Sequence, residues 1–263
     1  MIKKMNNNPI GIFDSGMGGL SVWRVLRKAL ADESLVFLGD GKNCPYGSRP
    51  REEVRRLTFE AVERLLAEGC KMVVIACNTA TAMAVAELRE RYPQIPFVGL
   101  EPAVKPAALR TKSGVIGVLA TERSFDGELF LRTSARFADK VRILKAVGEG
   151  FVEIVERNLE DTPEAEAAVR RAVEPLIEAG ADEIVLGCTH YPFLRGVIGR
   201  VVGDRPVEII DSADAVERRV EELLDRYGLR AERGYKPEYR FLTCADEAYA
   251  ERLRQKAFGD EPR

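Results

Sequence analysis

The sequence predicts an α/β protein made of two pseudo-symmetric open α/β domains with mainly parallel sheets. Three observations carry that prediction. Short apolar runs of strand length alternate with longer helix-patterned stretches along the whole chain. The strand-like runs are apolar at consecutive positions, as in strands covered by helices on both faces. And one unit of helix end, glycine, apolar strand and cysteine occurs twice, 111 positions apart.

The expected strands, in order, are Ile10–Phe13, Leu35–Leu38, Met72–Ala76, Phe97–Leu100, Val115–Leu119, Val141–Leu144, Glu183–Gly187, Val207–Ile210 and Tyr239–Leu242. The expected helices are Gly19–Leu30, Arg51–Ala67, Thr81–Arg91, Glu164–Glu178 and Ala213–Tyr227. In the last two, apolar residues recur every three or four positions, the period of a helix with one buried face.

The repeat sets the domain organisation. Residues 65–79, ending Ala76-Cys77-Asn78-Thr79, align with residues 176–190, ending Gly187-Cys188-Thr189-His190. The following strand repeats as well, with Pro96–Glu101 against Pro206–Asp211. Upstream, Ile10–Ser15 is similar to Ile116–Thr121. Many βαβ units share a glycine–strand–small-residue pattern, so the coincident cysteines are what make this repeat informative. It predicts a first domain of residues 1–102 with 212–263, and a second of residues 103–211.

Composition narrows the function. The formal net charge is −2, without the basic excess of a nucleic-acid or membrane surface. The longest apolar runs are strand-sized, too short to cross a bilayer. The first eight residues are polar and lack the apolar core of an export signal. Five cysteines, an odd number at wide spacing, do not read as a disulfide framework, which points to the reducing cytoplasm. With one histidine and no zinc-type cysteine spacing, a structural metal site is not expected.

The question is then what the free thiols do. Cys77 and Cys188 each follow an apolar strand, at the sheet edge where open α/β folds bind ligands. Each is followed by polar donors, Asn78-Thr79 and Thr189-His190. A thiol at a helix N-terminus has its thiolate stabilised by the dipole and by free N–H groups, and the same groups hold carboxylates. Two like bases suit stereoinversion at carbon, where one face loses a proton and the other gains one. The alternative for any buried cysteine is core packing. That is the expected role of Cys70 and Cys244, which have no polar neighbours in sequence.

Other residues carry open alternatives. Asp14 follows the first strand and reads as a turn or cap aspartate before Gly16, or as a group orienting Cys77. Gly16, Gly18 and Gly19 fit neither a P-loop nor a dinucleotide fingerprint, and read as a tight turn into a helix. Pro45-Tyr46-Gly47 reads as a turn.

These segments together resemble the glutamate racemases of the aspartate/glutamate racemase superfamily. The resemblance rests on Gly11–Leu20, Pro45–Gly47, Ala76–Ala82, Leu186–Pro192 and Val207–Ser212, and spans residues 10 to about 227. It implies an active site in the cleft between the two domains, and neither cofactor nor metal. It implies that Cys77 takes the α-proton from D-glutamate and Cys188 from L-glutamate. Asp14 would support Cys77; His190 with Glu156 would support Cys188. Asp14, Ser15, Tyr46, Gly47, Asn78, Thr79, Thr189 and His190 would bind substrate, with the backbone of Tyr46 and Gly47 more suited than the phenol. The family commonly forms homodimers and supplies D-glutamate for peptidoglycan, the cell-wall polymer that holds cell shape.

The chain departs from the family pattern in one place. Many members have a Cys-Pro pair before a Phe-Val-Pro-Leu-Val-Glu run, where this sequence reads Val147–Glu156. Glu156 matches the family carboxylate, but Glu149 and Glu153 are close, and all three also fit a solvated helix face. Rival readings are an aspartate or hydantoin racemase, a maleate isomerase-like enzyme, or an amino-acid binding protein without chemistry. A thiol oxidoreductase lacks its Cys-x-x-Cys motif here.

Overall fold

The computed structural model describes residues 6–259. The expected strands all form: β1 (Ile10–Asp14), β2 (Leu35–Gly39), β3 (Met72–Ile75), β4 (Phe97–Gly99), β5 (Val115–Ala120), β6 (Arg142–Val147), β7 (Glu183–Leu186), β8 (Glu208–Ile210) and β9 (Tyr239–Thr243). They build two sheets, ordered β4-β3-β1-β2-β9 and β6-β5-β7-β8. Every pairing in both is parallel. The chain divides into two compact units. The first runs to Leu100 and resumes at Ala213; the second is Glu101–Ser212.

The sequence repeat is visible in the sheets. β7 and β8 have the bounds of β3 and β4 shifted by 111 positions. Read from the matching edge, β4-β3-β1-β2 and β8-β7-β5-β6 are one order, to which the first unit adds β9. The central strands β1, β2, β3 and β7 are buried at every position. This is why their sequences are continuously apolar. The edge strand β6 is exposed or half-buried at every position. It extends beyond the expected Val141–Leu144 through Lys145 because an outward position on an edge tolerates charge.

Each repeat ends its long helix the same way. Helix Arg51–Ala67 precedes β3, and helix Pro163–Glu178 precedes β7. Gly69 and Gly180 follow at φ +80 and +92, a left-handed conformation that only glycine adopts without strain. Gly69 N–H bonds the Leu66 carbonyl and Cys70 N–H the Leu65 carbonyl. Gly180 and Ala181 bond Ile177 and Leu176 in the same pattern. These paired bonds satisfy the last carbonyls and turn the chain directly into the strand bearing each cysteine.

The core of the first unit is Phe13, Val36, Leu38, Val62, Leu65, Val73 and Ile75, with Cys77 and Tyr46 in the same cluster. The second packs Val104, Ile116, Val118, Phe130 and Val185. Each such side chain stabilises the fold by about 1.5–3 kcal/mol when fully buried. Helices that sequence periodicity did not mark also form, including Glu128–Phe137, Phe151–Glu156, Arg195–Val202 and Glu247–Phe258. Among the described residues no helix is long and apolar enough to cross a membrane.

Candidate active site

In the first unit, parallel pairing brings the ends of β1, β2 and β3 to one edge. Asp14 pairs with Gly39, and Phe13 with Ile75. Beyond those ends, Asp40 N–H bonds the Asp14 carbonyl at 3.0 Å, and Ala76 N–H bonds the Phe13 carbonyl at 2.7 Å. Asp14, Asp40 and Cys77 are thus held by the sheet itself.

Cys77 is the N-cap of helix Asn78–Arg91. Its Sγ accepts from Ala80 N–H at 3.4 Å, and its thiol donates to Ser15 Oγ at 3.5 Å. A sulfur in that position is offered free helix N–H groups and the positive end of the dipole, both of which favour the thiolate. Asn78 is buried, and its Nδ2 has no hydrogen-bond partner among the described residues. An orphaned buried donor is uncommon in folded proteins and is a group a ligand can satisfy. Thr79 is buried beside it.

Asp14 is fully buried, and its Oδ1 accepts from Gly16 N–H at 2.7 Å. That closes an Asx turn and aims the chain into helix Leu20–Ala29. Gly19 is required there, since a Cβ would stand 2.7 Å from the Asp14 Cβ and 3.1 Å from that of Ala76.

Tyr46 is buried, and its hydroxyl donates to Asp40 Oδ2 at 2.7 Å. Burial, then the charge and hydrogen bond of Asp40, then the neighbouring Cys77, push the phenol far above its ordinary pKa. The phenol is therefore a permanently neutral donor. Gly47, next in the turn, is half-buried.

In the second unit, Gly187 N–H bonds the Leu119 carbonyl at 2.6 Å, placing Cys188 just past β7 as Cys77 is past β3. Local chemistry then differs. Cys188, buried like Cys77, precedes a short 3-10 turn, Tyr191–Leu194, rather than an α-helix. Its Sγ lies 3.9 Å from His190 Nδ1, and His190 Nε2 lies 2.7 Å from Glu156 Oε1. Glu156 ends helix Phe151–Glu156, while Glu149 and Glu153 are exposed. With its Nε2 proton directed at Glu156, the imidazole presents its Nδ1 lone pair to the thiol. Thr189, between the two, is buried.

Two residues escaped the sequence reading. Asp40 follows β2 with no motif to mark it, and the strand pairing and the Tyr46 bond show its place. Tyr191 is buried, meets Phe151 edge-on at 5.0 Å between ring centres and donates to the Gly148 carbonyl. It fixes the turn that follows Cys188.

The other thiols divide. Burial pushes Cys70 up to about 12, so it stays protonated, as a core cysteine should. Cys244 departs from the expected apolar setting. It is half-buried, and Arg64 Nη1 donates to its Sγ at 3.1 Å. Burial and then the Asp40 charge raise its pKa, with Arg64 opposing. The reason is register: Gly39 pairs with Thr243, so the residues after each, Asp40 and Cys244, come side by side from opposite ends of the chain.

Two parallel open sheets of one order, each ending a central strand on a buried thiol with polar partners, are features this chain shares with a known class of α/β enzymes. The chain belongs to the Asp/Glu/Hydantoin racemase family, whose profile matches residues 10–220. It is 46% identical over 245 residues to the glutamate racemase of Roseiflexus sp. (strain RS-1), covering 93% of this chain and 89% of that one. Identity to the glutamate racemase of Deinococcus radiodurans is 46% over 247 residues, covering 93% and 84%. Glutamate racemase isoform RacE1 from Bacillus anthracis superposes with a TM-score of 0.86 at 33% identity, covering 97% of this chain and 95% of that one. The Escherichia coli glutamate racemase, solved with L-glutamate and the activator UDP-MurNAc-ala, superposes with a TM-score of 0.82 at 30% identity, covering 95% of each chain.

Proposed function

We propose that this protein is a glutamate racemase that interconverts L- and D-glutamate by two-base proton transfer between Cys77 and Cys188, without a cofactor. The observation that carries the reading is the matched placement of two buried thiols past equivalent strands, each with its own polar support. In the direction from D-glutamate, the Cys77 thiolate takes the α-proton and the Cys188 thiol protonates the opposite face. The reverse direction exchanges the roles. The mechanism requires both thiols to reach one α-carbon from opposite sides.

The α-proton is weakly acidic, so the site must stabilise carbanionic charge with fixed donors and exclude water. Helix N–H groups at Asn78 and Thr79, the Asn78 amide and the Ser15 and Thr189 hydroxyls are suited to hold the substrate's carboxylates. The Tyr46 phenol is committed to Asp40, which leaves the backbone of Tyr46 and Gly47 for recognition. Asp14 supports Cys77. Glu156 and His190 accept the Cys188 proton and return it. In the cell this activity supplies D-glutamate for peptidoglycan in the cytoplasm, and the protein acts as a homodimer.

The test is solvent exchange. In D₂O, each glutamate enantiomer should yield its mirror image carrying α-deuterium, with no added cofactor. Cys77→Ala and Cys188→Ala should each lose racemisation by about 10²–10⁴-fold, the scale of a general acid–base group. Full activity in either variant, or preference for another amino acid in a substrate panel, sinks the proposal.

A further inference from the structure

The loop between β2 and helix Arg51–Ala67 is organised around one carboxylate. Asp40 is buried at the end of β2 and accepts from the Tyr46 hydroxyl at 2.7 Å. Asn43 Nδ2 reaches both of its oxygens, at 3.1 and 3.0 Å, and Asn43 N–H bonds its carbonyl at 3.2 Å. The turn is closed further by Arg49, whose N–H bonds the Tyr46 carbonyl and whose Nε donates to the Asn43 carbonyl. Asp40 is also one backbone hydrogen bond from Asp14, and its carboxylate lies close enough to Cys244 to raise that thiol's pKa. A buried carboxylate met by several fixed donors holds a loop far more firmly than an exposed one, because none of its partners can be exchanged for water without desolvation loss.

We propose that Asp40 is a positioning residue of the racemase site: by holding the Tyr46 phenol it fixes the Tyr46–Gly47 turn at the Cys77 edge, and so governs substrate binding more than proton transfer. This rests on the glutamate racemase reading above. Asp40 does not exchange a proton with substrate. Its carboxylate is occupied by Tyr46 and Asn43, and it acts only through the backbone that Tyr46 carries. The ring of Tyr46 packs against Phe13, with centres 6.2 Å apart, which transmits the anchor into the β1 strand that bears Asp14.

The experiment compares Asp40→Ala, Asp40→Asn and Tyr46→Phe with the unaltered protein, recording kcat and KM for both glutamate enantiomers and the melting temperature of each. Loss of a hydrogen bond to a buried charge predicts a KM rise of about tenfold or more in Asp40→Ala, with kcat changed less than about threefold. Asp40→Asn keeps an oxygen for the phenol and should restore KM to within about threefold. Tyr46→Phe removes the same bond from the other side, and should match the KM rise of Asp40→Ala without adding to it in the double variant. An unchanged KM in folded Asp40→Ala, a loss confined to kcat, or additive effects in the double variant would overturn the proposal. If Asp40→Ala does not fold, the contrast between Tyr46→Phe and Asp40→Asn decides it. An unaltered protein that fails to racemise glutamate defeats the functional reading itself, and is seen before any variant is compared.

Discussion

His190 is held between two groups of opposite character: Glu156 Oε1 at 2.7 Å from its Nε2, and Cys188 Sγ at 3.9 Å from its Nδ1. Cys77 has a different support, the N-terminus of an α-helix. The two halves of the proposed reaction therefore depend on different chemistry. Enantiomers have equal free energy, so kcat/KM must remain equal in the two directions whatever is mutated. The asymmetry is visible in isotope effects instead.

Glu156→Gln removes the charge that favours a protonated His190, and should slow the Cys188 half-reaction. Racemisation should fall by about tenfold, less than the ~10²–10⁴-fold of a general acid–base group itself, because Glu156 acts through His190. The primary isotope effect with α-deuterated L-glutamate should rise, and that with α-deuterated D-glutamate should fall. Equal changes for both substrates would separate Glu156 from Cys188.

Gly19→Ala places a methyl group 2.7 Å from Asp14 Cβ. Overpacking of this kind costs about 1–3 kcal/mol. Urea denaturation should show that loss, and kcat should fall with it because the displaced carboxylate is the one proposed to support Cys77. A variant of full stability and full activity would mean that the Asp14 turn yields freely.

At the opposite edge of the first sheet, Lys71 and Glu33 form a buried ion pair at 2.6 Å. Lys71 also donates to the Asn6 carbonyl, and Glu33 accepts from Ala231 N–H at 2.9 Å. Lys71→Met leaves Glu33 charged and unpaired, and should destabilise by about 3–5 kcal/mol. The double variant Lys71→Met/Glu33→Leu should recover part of that loss. Glutamate kinetics of the folded fraction should not change, which distinguishes this cluster from the Asp40 network.

Asp182 gives a pH signature. Burial works against its charge, but hydrogen bonds from Thr111, Ser113 and Lys112 outweigh that and hold its carboxyl below the ordinary value of 3.8. A depressed folded pKa means that the native state binds its proton later than the unfolded chain does. The stabilisation is present above pH 3.8 and is lost as pH falls from there toward the depressed value. Asp182→Asn should flatten stability against pH in that window. An unaltered acid limb would assign acid sensitivity to other carboxylates.

Much of this was legible in the sequence, for reasons that differ by element. Continuously apolar runs marked the strands because the central ones are covered on both faces. The repeat around Cys77 and Cys188 was readable because a helix stop, a strand and a thiol must follow in fixed order. Short helices were not. Arg195–Val202 contains Gly196 and Gly199, which weaken its intrinsic preference, so packing decides it. Helix Glu247–Phe258 did carry a signal, since Asp246 accepts from Tyr249 N–H as an N-cap. Asp40 and Cys244 could not be linked from sequence, because they meet through the β2–β9 pairing of strands far apart in the chain. The choice of Glu156 over Glu149 and Glu153 needed the helix phase, which places one glutamate of the run beside His190.

The pairing of β9 with β2 sets a timetable for synthesis. Leu35 lies against Tyr239, so β2 leaves the ribosome long before its partner exists. The second unit is one continuous segment and has every strand of its sheet by Ile210. The first unit must wait, holding an open apolar edge that invites foreign strands. The loop that carries Asp40 and Tyr46 acquires its Cys244 neighbour only after that edge is covered. A nascent chain arrested before residue 239 would thus present a finished second half beside a first half still exposed to aggregation.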